Sequence, residues 1–412
     1  MARSGTLGHP ARRRLPMQEL RNLEPYTLHV YDISYFSGKM QAYLAYKGIP
    51  HEVNAISWAE LVGRIAPQTG LVEVPVVECR DGTLLRDSTA MIEWFEQRYP
   101  QAAVLPEDPA AAFFCRLLED YADEGLWRPA LYYRWAHAKD AILYARRFTE
   151  DFLSYPFVPA ALLRVTVRRR QRLAYLRDEG ITAANRADVE RHYREELADL
   201  EAVFRRRPFL FGDRPSLADF GYFASMFRHF GIDPTPARIM RDTAPAVYEW
   251  VARLWNARAT AYDGAAWAGA GSGLPDGLEP LLARAARRYL PALHANARAV
   301  AEGRRRYTVS LDGKPYPRLP AVPFLAWRRA VLQQELAGLP VAAAAAVRPI
   351  LARTGCLEWL ERDGVLHARY AEGERLPLCT PRQLGAMSRL RLWLSGTPHH
   401  LEARGNAPVD PD

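Results

Sequence analysis

The chain has 412 residues, 49% hydrophobic and 25% charged, which is ordinary globular composition but too long for one core, so two or three domains are expected. Its formal charge of +8 rests on 55 basic residues of which only 4 are Lys, an Arg skew that fits Ala- and Arg-rich coding and does not single out a nucleic-acid partner. Four scattered cysteines (Cys79, Cys115, Cys356, Cys379) form no C-x-x-C or Cys/His spacing, and no apolar run approaches the roughly 18 residues of a membrane span; no metal site and no membrane partner are expected, and the cytoplasm is the default compartment.

Residues 1–24 read as a disordered basic tail, because Arg12-Arg13-Arg14 is followed by no apolar stretch of the kind a secretory signal needs. A strand is expected over 26–30, and Ser34-Tyr35-Phe36-Ser37 opens a helix with Met40, Tyr43 and Leu44 on one face. Val74-Pro75 precedes a β-branched run; a proline there removes a ladder donor and belongs at a strand edge, where a cis bond is tolerated. Asp81-Gly82 between Val76-Val77 and Leu84-Leu85 predicts a hairpin, and Ser88 is expected to cap a helix over 89–99 carrying Met91, Ile92, Phe95 and Tyr99. Such a helix start suits a zwitterion, with Ser88 and the helix N-terminus taking a carboxylate and Asp87 an ammonium.

Pro106 to Pro109 reads as a linker into a helical half. A long helix is expected from 110 to 127, kinking at Pro129 and continuing to 135. The stretch 139–187, with an aromatic, proline-rich part at 152–159 and then Arg168-Arg169-Arg170, reads as an insertion over the substrate side. A helix follows over 188–204, and Ser216 with Asp219 forms a near-capping box opening another over 217–229. The glycine-rich 268–273 lacks the G-x-G-x-x-G spacing and a preceding strand, so it is a linker. Beyond it, helices are expected over 278–301 (kinked at Pro291), 322–337 and 341–351, and a hairpin over 359–366.

The order strand, helix, variable segment, hairpin, helix is that of a thioredoxin-like domain, and Val74-Pro75, Asp87-Ser88 and the later Ser216/Asp219 motif together resemble the glutathione transferase superfamily over about 25–258. The resemblance implies an α+β, thioredoxin-like glutathione-binding domain at 25–104, an all-α domain at 110–258 and a mainly helical extension at 275–412. It implies that Val74 pairs its backbone with glutathione beside the cis Pro75, and that Asp87 and Ser88 hold the γ-glutamyl end. Ser34 falls where theta- and zeta-type members carry a catalytic Ser, with Ser37 three residues on; Tyr31 and Tyr35 are further hydroxyl donors within reach. The stretch 66–73 departs from the usual approach to the cis-proline.

A Ser hydroxyl at a helix start favours thiolate by hydrogen bonding and by the helix dipole. Ser-x-x-Ser in place of Cys-x-x-Cys excludes a mixed disulfide there, so conjugation, substitution or isomerisation is expected. The implied function is transfer of glutathione, as co-substrate, to a small electrophile, with a homodimer allowed and no nucleic acid. The alternative is a non-catalytic binding or scaffold protein, since Ser-Tyr-Phe-Ser followed by Lys39 and Tyr43-Leu44 also resembles metaxin-like relatives. Tyr132, Tyr133 and Trp135 are read either as lining an apolar co-substrate pocket or as core, and His51, His137, His192 and His229 share no ligand spacing.

Overall fold

Strand β1 (Tyr26–Val30) is buried along nearly its whole length, as a central strand must be. The computed structural model describes residues 23–153, 159–269 and 273–364. From β1 the chain crosses through α1 (Tyr35–Lys47) to β2 (His51–Ala55), which lies parallel to β1. After a short helical stretch at 58–69, β3 (Val76–Glu78) runs antiparallel on the other side of β1 and pairs with β4 (Leu84–Leu85). The sheet order β2-β1-β3-β4, followed by α2 (Ser88–Arg98) packed against α1, is thioredoxin-like. Gly82 of the Asp-Gly turn takes φ +85°, which only glycine adopts without cost.

The helical half starts at α3 (Pro109–Asp120), capped by Asp108, whose carboxylate accepts from Ala111 N at 2.9 Å. It widens into a π-turn at Tyr121–Gly125 and resumes as α4 (Trp127–Ala136). The break therefore lies ahead of Pro129, not at it. Pro129 is the third residue of α4, where a missing N–H forfeits no intrahelical bond. Next come α5 (Ala138–Arg147), α6 (Ala160–Gln171), α7 (Arg186–Phe204), α8 (Leu217–Ser225), α9 (Pro234–Thr243) and α10 (Pro245–Trp255). The capping box is complete: Ser216 Oγ accepts from Asp219 N, and the Asp219 carboxylate accepts from Ser216 N at 2.9 Å.

The extension is α11 (Glu279–Arg288), α12 (Leu290–Ala301), the hairpin β5 (Arg306–Leu311) and β6 (Lys314–Pro320), then α13 (Pro323–Ala337), α14 (Val341–Thr354) and α15 (Cys356–Glu361). Two sequence expectations are corrected here, and one element is added. The break between α11 and α12 falls at Tyr289, with Pro291 in the first turn of α12. The hairpin over 306–320, turning at Asp312-Gly313, was obscured by Pro315, Pro317 and Pro320, residues that only a strand free on one side tolerates. Residues 359–361 belong to α15, because Gly355 at φ +80° ends α14 and restarts a helix that buries Cys356 and Leu360; the end of the hairpin expected there, like the tail at 1–22 and Cys379, lies outside the described residues.

The extension shares the core of the helical half: Leu278, Leu281, Leu282 and Leu332 are buried in the same cluster as Phe113 and Trp250. Buried ion pairs tie it down, with Arg284 bonding Glu196 at 3.1 Å and Asp199 at 2.5 Å, and Arg288 gripping both oxygens of Asp188 at 2.9 and 3.1 Å. Among the described residues no helix is long and apolar enough to cross a membrane.

Candidate functional site

A cavity of about 330 Å³ opens where the start of α1, the turn before β3, the start of α2, the π-turn after α3 and the first turns of α13 meet. Ser34, Val74, Pro75, Asp87 and Ser88 all line it. So do Asp120, Asp123, Glu124 and Arg328 at a charged end, and Trp58, Trp127, Trp135, Phe148, Tyr175 and Phe324 along an aromatic wall.

Ser34 is half-buried and caps α1, its Oγ accepting from Ser37 N at 3.4 Å. That bond uses a lone pair, so the Ser34 O–H is left to donate. Ser37 is fully buried, does not line the cavity, and accepts from Tyr31 N at 3.3 Å. This corrects Ser37 as a candidate donor: one turn into the helix, its side chain fastens the loop ahead of α1. Tyr35 is likewise committed, donating to the carbonyls of Ala122 at 2.8 Å and Asp123 at 2.6 Å. Tyr31 lines the cavity and is buried.

The Val74-Pro75 bond is cis. Among the described residues neither backbone group of Val74 is hydrogen-bonded, so an N–H and a C=O remain for an extended peptide to pair with.

At the next helix start the expected division of labour is corrected. Asp87, not Ser88, is the cap of α2; its Oδ1 accepts from Thr89 N at 3.1 Å and Ala90 N at 3.3 Å, and it holds φ +69°, a strained conformation for a residue with a side chain. Ser88 is the first residue of the helix, buried at the cavity wall. Burial pushes the Asp87 carboxyl up, against the pull of Arg328. One of its oxygens is thus unavailable for an ammonium.

The acids that sequence reasoning missed lie close by. Glu119 with Asp123, and Asp120 with Glu124, are like charges at i,i+4, an arrangement that repels on a solvated helix and signals partners elsewhere. The partner of the first pair is Lys39 of α1, fully buried, with Nζ 2.6 Å from Glu119 Oε1, hydrogen-bonded to Asp123 Oδ2 and 3.3 Å from Thr89 Oγ1. Burial pulls the Lys39 pKa down, but Asp123 and Glu119 overcome it and hold it above its usual value. Asp123 is 4% exposed and its Oδ1 has no hydrogen-bond partner. The Glu124 carboxylate has no hydrogen bond to any described residue, and burial followed by repulsion from Asp120 raises its pKa to about 8.

The Glu124 shift makes a prediction. Its folded value of about 8 exceeds the ordinary 4.5, so between those pH values the folded chain holds a proton that the unfolded chain has lost. Stability from this group is therefore complete at low pH and declines as pH rises toward 8. Glu124→Gln should flatten that decline and be more stable at pH 8 by ~1 kcal/mol or more. Melting temperatures of both proteins from pH 5 to 8 check this, and parallel profiles contradict it.

Of the aromatic candidates Trp135 lines the cavity, while Tyr132 and Tyr133 do not; Tyr132 bonds Glu190 at 2.7 Å and Tyr133 packs on Tyr193. His229 lines it as a neutral ring, since burial and then Arg134 hold its pKa well below the usual value.

Residues 28–103 match the family model of the glutathione S-transferase N-terminal domain, and residues 169–257 that of the glutathione S-transferase C-terminal domain. These two regions are domains of the glutathione S-transferase superfamily. Solved structures similar to it include a glutathione S-transferase from Rhodospirillum rubrum F11 (21% identity, covering 56% of this chain and 88% of that one, TM-score 0.38). One from Methylobacterium radiotolerans JCM 2831, in complex with glutathione sulfonate, is 21% identical over 59% of this chain and 96% of its own, with TM-score 0.37. The β-etherase LigF from Sphingobium sp. strain SYK-6 is 19% identical over 57% and 96%, with TM-score 0.41. No curated protein matches the chain significantly. Both superfamily matches end before the extension, so Arg328 and Phe324 come from outside them.

Proposed function

We propose that the cavity binds glutathione and that the protein transfers its thiolate to a small electrophile. The observation that carries this reading is the convergence on one cavity of a helix-capping hydroxyl, an unpaired backbone edge beside a cis-proline and a helix start. Val74 pairs with the peptide backbone, the start of α2 with Ser88 takes a carboxylate, and the thiol lies against Ser34. A thiol is a weak nucleophile and a thiolate a strong one, so the O–H of Ser34 and the positive end of α1 must favour the charged sulfur. The aromatic wall then receives an apolar electrophile. We place the glutathione domain at 25–104, the all-α domain at 110–258 and the extension at 275–412. The free, buried thiols of Cys79, Cys115 and Cys356 support a reducing, cytoplasmic setting.

Calorimetric titration with glutathione tests binding, and Ser34→Ala tests chemistry. Loss of one hydrogen bond to the thiolate should lower turnover at neutral pH by about 10- to 100-fold, with binding nearly intact. It should also move the rise of activity to higher pH, because the bound thiol then ionises less readily. If glutathione binds but Ser34→Ala changes turnover with no electrophile, the binding or scaffold alternative replaces transfer.

A further inference from the structure

We propose that Arg328, supplied by the C-terminal extension, is the carboxylate-binding residue of this cavity and grips the α-carboxylate of the γ-glutamyl end of glutathione opposite Ser88. The inference rests on the glutathione reading and names a determinant that lies outside both superfamily matches.

Arg328 sits in the second turn of α13, buried yet lining the cavity. Its Nε donates to Asp120 Oδ1 at 2.5 Å, and Asp120 is itself fixed through Oδ2 by the Tyr289 hydroxyl at 2.7 Å. Nη2 lies 3.8 Å from Glu119, an ion-pair distance and not a hydrogen bond. Among the described residues, therefore, the guanidinium is anchored through Nε alone, and both terminal nitrogens keep their donors. A planar fork held rigid from behind and open in front is the arrangement that recognises a carboxylate with two parallel bonds.

The surroundings say what that carboxylate is attached to. Among the described residues Asp123 Oδ1 is unpartnered and the Glu124 carboxylate has no hydrogen bond, and both residues line the cavity that Arg328 lines. One cationic fork beside acidic oxygens without partners matches an α-amino acid head, in which a carboxylate and an ammonium share one carbon. Burial also pushes Glu124 toward its protonated form, so an arriving ammonium finds a group ready to release a proton. A merely structural Arg328 would neutralise Asp120 without needing open donors toward the cavity.

The test is calorimetry on the full chain with two ligands, glutathione and 4-aminobutanoyl-cysteinyl-glycine, which lacks only the α-carboxylate. The unmodified protein should prefer glutathione by about ten-fold or more. Arg328→Gln should lose that preference, weakening glutathione about ten-fold while leaving the analogue within about two-fold, and Arg328→Lys should recover part of it. If Arg328→Gln does not fold because Asp120 is left unpaired, Arg328→Met combined with Asp120→Asn removes both charges and is held to the same criterion. Equal weakening of both ligands, or an unchanged preference, overturns the proposal while glutathione binding stands. Failure of the unmodified protein to bind either ligand overturns the glutathione reading, and this proposal with it.

Discussion

Replacing Lys39 by Met is expected to lower the unfolding free energy by about 3–5 kcal/mol, the scale seen when one member of a buried ionic cluster is removed. Lys39 is fully buried, and its Nζ meets Glu119, Asp123 and Thr89. Glu119 and Asp123 are 1% and 4% exposed. Without the ammonium, two carboxylates would face each other in a dry interior, and each would have to take up a proton or open the structure. Glu119 depends on it most: burial pushes its pKa up, yet Lys39 and Arg328 bring it below the ordinary value, so it is ionised because they are there. Lys39 belongs to α1 of the thioredoxin-like domain, and its acidic partners to α3 and the π-turn, so the loss falls on the docking of the two domains. Urea denaturation gives the measurement. Lys39→Met combined with Glu119→Gln and Asp123→Asn should recover much of the stability, because removing a whole cluster costs less than orphaning part of it. A fall of under 1 kcal/mol for Lys39→Met alone is incompatible with an ionic cluster.

This network marks the boundary of what the sequence makes legible. The Asp81-Gly82 turn, the Ser34 and Ser216 caps and the Val74-Pro75 edge are local chemistry, each written within a few residues, and they suffice for the β3–β4 hairpin and for the α1 and α8 helix starts. Asp87 and Ser88 show the limit of local reading. Both are good caps, they are adjacent, and only the positive φ at Asp87 decides which of them accepts from the first-turn N–H groups. Ser37 shows it again, since position in the first turn does not say whether a hydroxyl faces the cavity or the preceding loop. The charged end of the cavity is assembled from Asp123 and Arg328, with Lys39 buried behind Asp123, and the three come from distant segments of the chain. No periodicity reports such pairs. Their trace is the i,i+4 repetition of acids from the end of α3 into the π-turn and an Arg on a helix of the extension, features that read alone as a solvated face.

Arg134→Ala should destabilise the chain on a similar scale, about 3–5 kcal/mol, and for a reason that reaches the chemistry. Arg134 of α4 is 4% exposed and forks onto Asp233, with Nε 2.9 Å from Oδ2 and Nη2 2.8 Å from Oδ1. Its remaining donors bond the carbonyls of Arg228 at 2.6 Å and Ile33 at 2.8 Å, and its guanidinium stacks over Tyr144 with 4.0 Å to the ring centroid. Truncation leaves Asp233, which is fully buried, without its cation. The Ile33 carbonyl belongs to the residue just before Ser34, so the same side chain sets the level at which the capping hydroxyl meets the cavity. Arg134→Lys separates the two consequences. An ammonium can neutralise Asp233, but it cannot bond two carboxylate oxygens and two carbonyls at once. The Lys variant should therefore keep most of the stability while turnover falls with little change in glutathione affinity, as for a group that positions the thiolate donor and does not touch the peptide. Equal losses of stability in the Ala and Lys variants would show that the fork geometry, not the charge, holds Asp233. Full turnover in a folded Lys variant would show that the Ile33 bond does not govern Ser34.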